Sequence, residues 1–284
     1  MKTNISLQEK FKQLQAQQEA LLATNFYNFE TLKGVVAAAH AVKKPIILQL
    51  TKSSIDYLGL PVAVGLAESM LKYYEVEGWI HLDHGDSYEL AARCLDAGFT
   101  SVMIDASEKP FDENVRLTKS VVKLAEKYGA NVEAELGYIA KLGQQTDKIG
   151  FTEPGDARRF VEATGVNALA VAIGSAHGFY NEEPKLDLDR LSEIRKVTNA
   201  ALVLHGGSGI PHDVLQEAVK RGICKINLAT EIKNIFMKTL KNKLTHEDEI
   251  DLRKVFPVAT AAVTELVSDK LQAIQIEGHE SINK

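Results

Sequence analysis

The chain has 284 residues, 45% hydrophobic and 25% charged, the proportions of a globular protein with a sizeable buried core. A net charge of −5 (33 basic, 38 acidic residues) with no basic run argues against nucleic acid as a partner; no apolar run approaches the ~18 residues of a membrane span. Two cysteines far apart, Cys94 and Cys224, form no CxxC pattern and read as reduced core residues of a cytoplasmic protein.

In chain order, the opening "MKTNISLQEKFKQLQAQQEALL" is a polar, amphipathic helix without the apolar centre of a signal peptide. Strand 1 is "LLATNF" (21–26), followed by the helical pattern "FETLKGVVAAAHAVK". Strand 2 is "PIILQL" (45–50), strand 3 "WIHLDHG" (79–85) and strand 4 "SVMIDAS" (101–107). The helices "SYELAARCLDAG" and "DENVRLTKSVVKLAEKYG" follow strands 3 and 4, each ending in the glycine expected beyond a helix C-terminus. Strands 5 to 8 are "NVEAELG" (131–137), "ALAVAIG" (168–174), "ALVLHGG" (201–207) and "KINLAT" (225–230). Two more helical stretches, 231–244 and 251–273, flank the polar linker "THEDEID". Apolar strands alternating with helices imply parallel pairing with both faces covered. Eight such units predict a (β/α)8 TIM barrel of class α/β, a single domain over 1–284, with an N-terminal helix and extra C-terminal helices. A doubly wound open sheet is the competing arrangement, but eight evenly spaced units exceed what most such sheets use.

In a barrel of this kind the chemistry sits at the C-terminal ends of the strands. Strand 3 ends in Asp83-His84-Gly85, strand 4 near Asp105, and strand 5 carries Glu133 and Glu135. Strand 6 runs into "GSAHGFY" with His177, and strand 7 ends in "LHGGSG" with His205. One such histidine alone reads best as a hydrogen-bonded structural residue. Three at the same end of three strands, with carboxylates between them, form a metal constellation that suits a catalytic Zn²⁺ with an open position. His81 lies two residues deeper and reads as a core residue or one behind the ligands, while Asp83 beside His84 is placed for proton transfer. His40, His212, His246 and His279 lie in helices, linkers or the tail.

A separate signal is the glycine turn "HGGSG" after strand 7 and "NLAT" after strand 8, where barrels commonly bind phosphate through bare amides and a helix N-terminus. Metal, phosphate and a carboxylate base together point to chemistry beside the carbonyl of a sugar phosphate.

The motifs "HLDHG", "EAELG", "AVAIGSAHGFY", "LHGGSGIP" and "KINLATE", in this order, resemble the class II, zinc-dependent ketose-bisphosphate aldolases of fructose- and tagatose-bisphosphate type. The resemblance implies zinc on His84, His177 and His205, with Glu135 and Asp105 at an alternative or second metal position. It implies Asp83 as the acid/base acting on the C4 hydroxyl and Asn227 near the carbonyl of dihydroxyacetone phosphate. Gly178, Gly206, Gly207, Ser208 and Thr230 match the pocket for the C1 phosphate, where the family can also hold a monovalent cation (Na⁺ or K⁺). Asn25 and Thr51 match substrate-side positions at the ends of strands 1 and 2, although serine often stands where Thr51 does. "DLRK" resembles the family's "DPRK", so Arg253 would reach the distal phosphate, usually that of a neighbouring subunit in a homodimer or homotetramer. The partner expected is a small-molecule sugar phosphate, with no nucleic acid and no membrane.

Two departures bear on the aldehyde. Where the family has a mobile GGxED loop, this chain reads "YIAKLGQQTDKIG", with Gln144, Gln145 and only Asp147 as a nearby acid. Where fructose-bisphosphate enzymes often read "NVDT" it reads "NLAT", and Ala229 is closer to the tagatose pattern; losing that carboxylate weakens stereochemical choice. The implied reaction is reversible aldol cleavage of a ketose 1,6-bisphosphate or related ketose 1-phosphate to dihydroxyacetone phosphate and an aldehyde. That aldehyde is glyceraldehyde 3-phosphate or an analogue such as a sulfonated one, the latter from sulfofructose 1-phosphate. Three rivals compete. A Schiff-base aldolase needs a lysine near a strand's C-terminal end, but Lys225 opens strand 8 and Lys52 and Lys109 fall in loops. A barrel zinc hydrolase typically begins with HxH on strand 1, which "LLATNF" lacks. A non-catalytic sugar-phosphate-binding barrel would bind ligand without proton exchange.

Overall fold

The structure is a computed structural model and describes residues 5–141, 150–180 and 184–275. The polar opening segment forms α1 (Leu7–Gln17), started by a reciprocal Ser6–Glu9 cap. Strands and helices then alternate: β1 (Leu21–Asn25), α2 (Phe29–Val42), β2 (Ile46–Leu50), α3 (Lys52–Leu58), α4 (Leu60–Tyr73) and β3 (Gly78–Gly85). Next come α5 (Tyr88–Asp96), β4 (Ser101–Ile104), α6 (Phe111–Ala125), β5 (Asn131–Leu136), the two-residue β6 (Ala140–Lys141) and α7 (Pro154–Thr164). The last third holds β7 (Ala168–Val171), β8 (Ala176–His177), α8 (Leu188–Val197), β9 (Ala201–Leu204), α9 (His212–Lys220), β10 (Ile223–Leu228), α10 (Thr230–His246) and α11 (Leu252–Ala273).

Eight of the strands close a parallel barrel in the order β1-β10-β9-β7-β5-β4-β3-β2, and β6 pairs with β8 as a separate ribbon above it. This is the predicted TIM barrel. The strand positions follow the sequence reading, with shifted ends: β10 runs 223–228 rather than 225–230, so Ala229 and Thr230 belong to the start of α10. Lys225 is therefore the third residue of its strand and fully buried, not the residue that opens it. Cys94 and Cys224 are free and buried. Among the described residues no helix is long and apolar enough to cross a membrane.

The barrel is stoppered at its N-terminal end. Leu7, Phe11 and Leu14 of α1 pack beneath Leu21, Ala23, Ile47, Trp79, Ala168, Ala170, Ala201 and Val203, and the Trp79 indole N–H donates to the Ile5 carbonyl at 3.0 Å. The larger core lies between the strands and the surrounding helices. There α2 and α11 pack closely because Gly34 has no side chain: a Cβ on it would lie 2.8 Å from Val263 Cβ and 2.9 Å from the Thr260 carbonyl oxygen. A Gly34→Val substitution is expected to cost about 1–3 kcal/mol through overpacking. A fall in the urea midpoint at unchanged slope would show this; an unchanged midpoint would mean the helices separate freely.

Candidate functional site

The mouth of the barrel is set by a break in regular pairing on β3. Leu82 pairs with Val102 and Gly85 with Ile104, so Asp83 and His84 together face the single residue Met103 of β4. A bulge of this kind re-aims side chains, and His84 takes the left-handed conformation (φ 50°) that non-glycine residues rarely adopt. In a regular strand Asp83 and His84 would point to opposite faces; the bulge brings both to the same cavity. Gly85 permits the arrangement, since a Cβ there would sit 2.4 Å from the Met103 carbonyl oxygen.

His84 meets His205 at the end of β9 and His177 on β8. Ring centroids of His84 lie 4.8 Å from His205 and 4.9 Å from His177, with His177 to His205 at 5.6 Å. One nitrogen of each ring falls within 4.8 Å of the other two. His84 Nε2 and His205 Nδ1 are 3.2 Å apart. Zn–N bonds of about 2.0–2.1 Å in a tetrahedron place ligand nitrogens about 3.3 Å apart, so the described residues fit such an ion. Each of these two rings has a carboxylate behind it: His84 Nδ1 donates to Asp105 at 2.8 Å, and His205 Nε2 donates to Glu133 at 2.8 Å. That is the usual outer support of imidazole ligands. His84, Asp105 and Glu135 form a second group whose ligand atoms lie within 4.8 Å of one another. Glu135 keeps one buried oxygen without a hydrogen-bond partner.

The electrostatics of the cluster divide its members. Burial disfavours protonated His84, but the Asp83, Asp105 and Glu135 carboxylates outweigh this and lift it to about 9. His205 is held well below the ordinary value, by burial first and then by the His84 and Lys225 charges. Burial, with Asp105 adding repulsion, pushes Glu135 up to about 8. Asp83 is buried, which alone would raise it, yet His84, His205 and Lys225 and the Asn25 amide bring it below the ordinary carboxylate value.

Asp83 is gripped on both oxygens. Asn25 Nδ2 donates to Oδ2 at 3.0 Å and Asn227 Nδ2 to Oδ1 at 3.3 Å. Asn25 is itself held, because Gln49 Nε2 donates to its Oδ1 at 2.7 Å. Asn25, read from the sequence as a substrate-side residue, thus spends its amide on the carboxylate, while Asn227 leaves a buried Oδ1 unpartnered at the mouth. Gln49 was missed by sequence reasoning; the available signal was a polar residue inside the apolar run of strand 2. His81 is where expected, below the cluster, with Nδ1 bonded to Ser101 at 2.7 Å.

The phosphate-type features converge on the start of α10. Ala229 offers this 17-residue helix no side-chain cap, so its first amides are left for another acceptor. Glu231 N–H reaches only Ser208 Oγ, at 3.4 Å. Gly206 has φ +68°, and a Cβ there would lie 2.3 Å from the Ala176 carbonyl oxygen. Gly207 differs from expectation: its N–H donates to the Asn227 carbonyl at 3.0 Å, which ties the loop to β10 instead of facing a ligand. Gly178 (φ +115°) follows His177 directly and turns the chain there.

Two further expected residues are not brought to this cavity by their own contacts. Thr51 caps α3, its hydroxyl accepting from Ser54 N–H and bonding to the Ser53 and Ser54 hydroxyls. Arg253, with its side chain 90% exposed, forms a two-bond pair with Asp251 at 3.0 and 3.1 Å. Gln144, Gln145 and Asp147, and His279, lie outside the described residues.

Known proteins agree with this architecture. The YdjI aldolase from Escherichia coli K12 is 32% identical, with TM-score 0.86 over 96% of this chain and 98% of that one. A Coccidioides immitis protein provisionally named a fructose-1,6-bisphosphate aldolase is 29% identical, with TM-score 0.86 over 96% and 97%. Fructose-bisphosphate aldolase from Campylobacter jejuni, at 21% identity and TM-score 0.80 over 95% of each chain, shares the fold. The family model described as fructose-bisphosphate aldolase class II matches residues 5–279, a span that takes in every strand of the barrel and the whole mouth. An enzyme that breaks or forms a carbon–carbon bond by aldol chemistry accounts for a buried carboxylate fixed beside three converging imidazoles, and the chain belongs to the class II fructose-bisphosphate aldolase family.

Proposed function

We propose that this chain is a zinc-dependent enzyme that reversibly cleaves a phosphorylated ketose, a ketose 1,6-bisphosphate or related ketose 1-phosphate, to dihydroxyacetone phosphate and an aldehyde such as glyceraldehyde 3-phosphate. The observation that carries this reading is the meeting of His84, His177 and His205 within ligand distance beside the doubly held Asp83.

His84, His177 and His205 would hold the metal, and zinc bound there supplies Lewis acidity toward a ketose carbonyl. The chain's own groups do the rest. Ser208 and the uncapped amides at Thr230 take the C1 phosphate, with Gly178, Gly206 and Gly207 shaping the turns that let it approach; a monovalent cation can share this pocket. Asn227, with its unpartnered oxygen, orients the donor half. Asp83, kept ionised by the surrounding cations and amides, accepts the C4 hydroxyl proton as the C3–C4 bond breaks; the bonding pair stays with C3 of the donor half, which takes up a proton to become dihydroxyacetone phosphate, and Asp83 returns its proton in the synthetic direction. Arg253, exposed beside the 91% exposed Ile250, suits contact with a second copy in a homodimer or homotetramer, where it would reach the distal phosphate. Light scattering tests that assembly: a monomer would remove this role from Arg253.

Ala229 leaves the aldehyde half open, so the function is tested with a substrate panel. Fructose 1,6-bisphosphate, tagatose 1,6-bisphosphate and 6-deoxy-6-sulfofructose 1-phosphate are each assayed with and without chelator. Cleavage of one, abolished by chelation and restored by zinc, is the expected result. Cleavage that survives complete metal removal would refute the zinc reading.

A further inference from the structure

The interior of a TIM barrel is usually filled by branched apolar side chains. Here the layer between the α1 stopper and the mouth is polar. His81, Ser101, Asn131, Glu133, His205 and Lys225 are all fully buried. They form one chain of hydrogen bonds. Lys225 Nζ donates to Glu133 Oε2 at 2.8 Å and to His81 Nε2 at 3.3 Å. With Nε2 accepting, His81 donates from Nδ1 to Ser101 Oγ at 2.7 Å, and Asn131 Nδ2 donates to the same oxygen at 3.0 Å. The other oxygen of Glu133 accepts from His205 Nε2 at 2.8 Å.

A buried ion pair is an expensive way to fill a core, since apolar residues of similar volume are often as stabilising or more so. What this pair does that leucine or methionine would not is local. Glu133, pinned by the ammonium on one oxygen, can offer its other oxygen to His205 in one direction only. The proton of His205 then sits on Nε2, and Nδ1 is left as a lone pair facing His84 Nε2.

We propose that Lys225, acting through Glu133, is a positioning residue that fixes the tautomer and orientation of His205 for metal binding. The inference rests on the reading of His205 as a ligand. His84 has a different support: its carboxylate, Asp105, has a side chain 26% exposed and takes its remaining bonds from Ser107 rather than from a cation. Of these two imidazoles, His205 is the one whose geometry is set from inside the barrel, and Lys225 is the element that sets it.

The test uses the apo-protein and two readouts apart from turnover: zinc affinity by chelator competition, and the visible spectrum of the Co²⁺-substituted protein. Lys225→Met alone leaves Glu133 as an unpaired buried charge and can fail to fold. The double variant Lys225→Met/Glu133→Gln removes both charges while keeping a side-chain oxygen near His205. This neutral variant is expected to fold and to bind zinc about 10- to 100-fold more weakly, the usual effect of losing an outer partner. Its Co²⁺ spectrum is expected to shift. A folded double variant with wild-type zinc affinity and an unchanged Co²⁺ spectrum would overturn the proposal. His205→Ala serves as the separate control: zinc bound there at wild-type affinity would refute the ligand reading itself, whatever Lys225 does.

Discussion

Asp83→Ala is expected to keep its zinc and lose about 10²- to 10⁴-fold in turnover, the range for removing a positioned acid/base. At about 1.4 kcal/mol per factor of ten this is about 3–5 kcal/mol of barrel-mouth chemistry residing in one carboxylate. The metal is expected to stay because His84 and His205 take their orientation from Asp105 and Glu133 and not from Asp83. The amides of Asn25 and Asn227 lose their acceptor, so some stability is expected to go as well. Turnover within tenfold of wild type would take the proton-transfer role from Asp83. Loss of zinc along with turnover would make Asp83 a ligand instead.

His205→Ala is expected to behave differently, losing metal and activity together. Two imidazoles remain from a set of three, so zinc affinity should fall by more than the roughly 10- to 100-fold typical of an outer partner. The change also reaches the fold. Glu133 Oε1 is fully buried and loses its donor, a vacancy worth about 1–3 kcal/mol of stability. Metal content and a thermal scan on the metal-free protein read the two effects apart. A variant that retains full zinc content would remove His205 from the ligand set, and an unchanged apo midpoint would mean water satisfies Glu133.

The barrel itself was legible because its signals repeat: apolar strands and helical patterns alternate along the chain, several helices close on a glycine, and errors at one end do not propagate. The convergence of the three histidines was legible because all three follow strand segments at one end of the barrel, although His177 stands on the separate β8 ribbon and not on a barrel strand. What escaped was whatever depends on a departure from regular geometry. Strand alternation alone would send His84 away from Asp83, and nothing in "HLDHG" announces the bulge that reunites them. Lys225 was misplaced because strand starts have weak signals, and two residues of register decide whether a lysine lies at the rim or deep in the barrel. Gln49 looked like one polar residue in a strand; its meaning comes from Asn25, 24 positions away in sequence. Asn25, Thr51 and Gly207 show the opposite limit. Their residue types suit ligands, but each also suits a task within the protein, and the contacts seen here belong to the second.

The seam of the barrel has a consequence for how the protein folds. β1 pairs with β10, joining Leu21 to Lys225 and Thr24 to Leu228, so the first strand of the barrel waits for the last. Asp83 is clamped by Asn25 from one side of that seam and by Asn227 from the other. Contacts of such long sequence separation form late in folding. A folding chain can therefore hold most of its strands and still leave the Asp83 carboxylate ungripped, so the order at the mouth comes only with closure of the whole barrel.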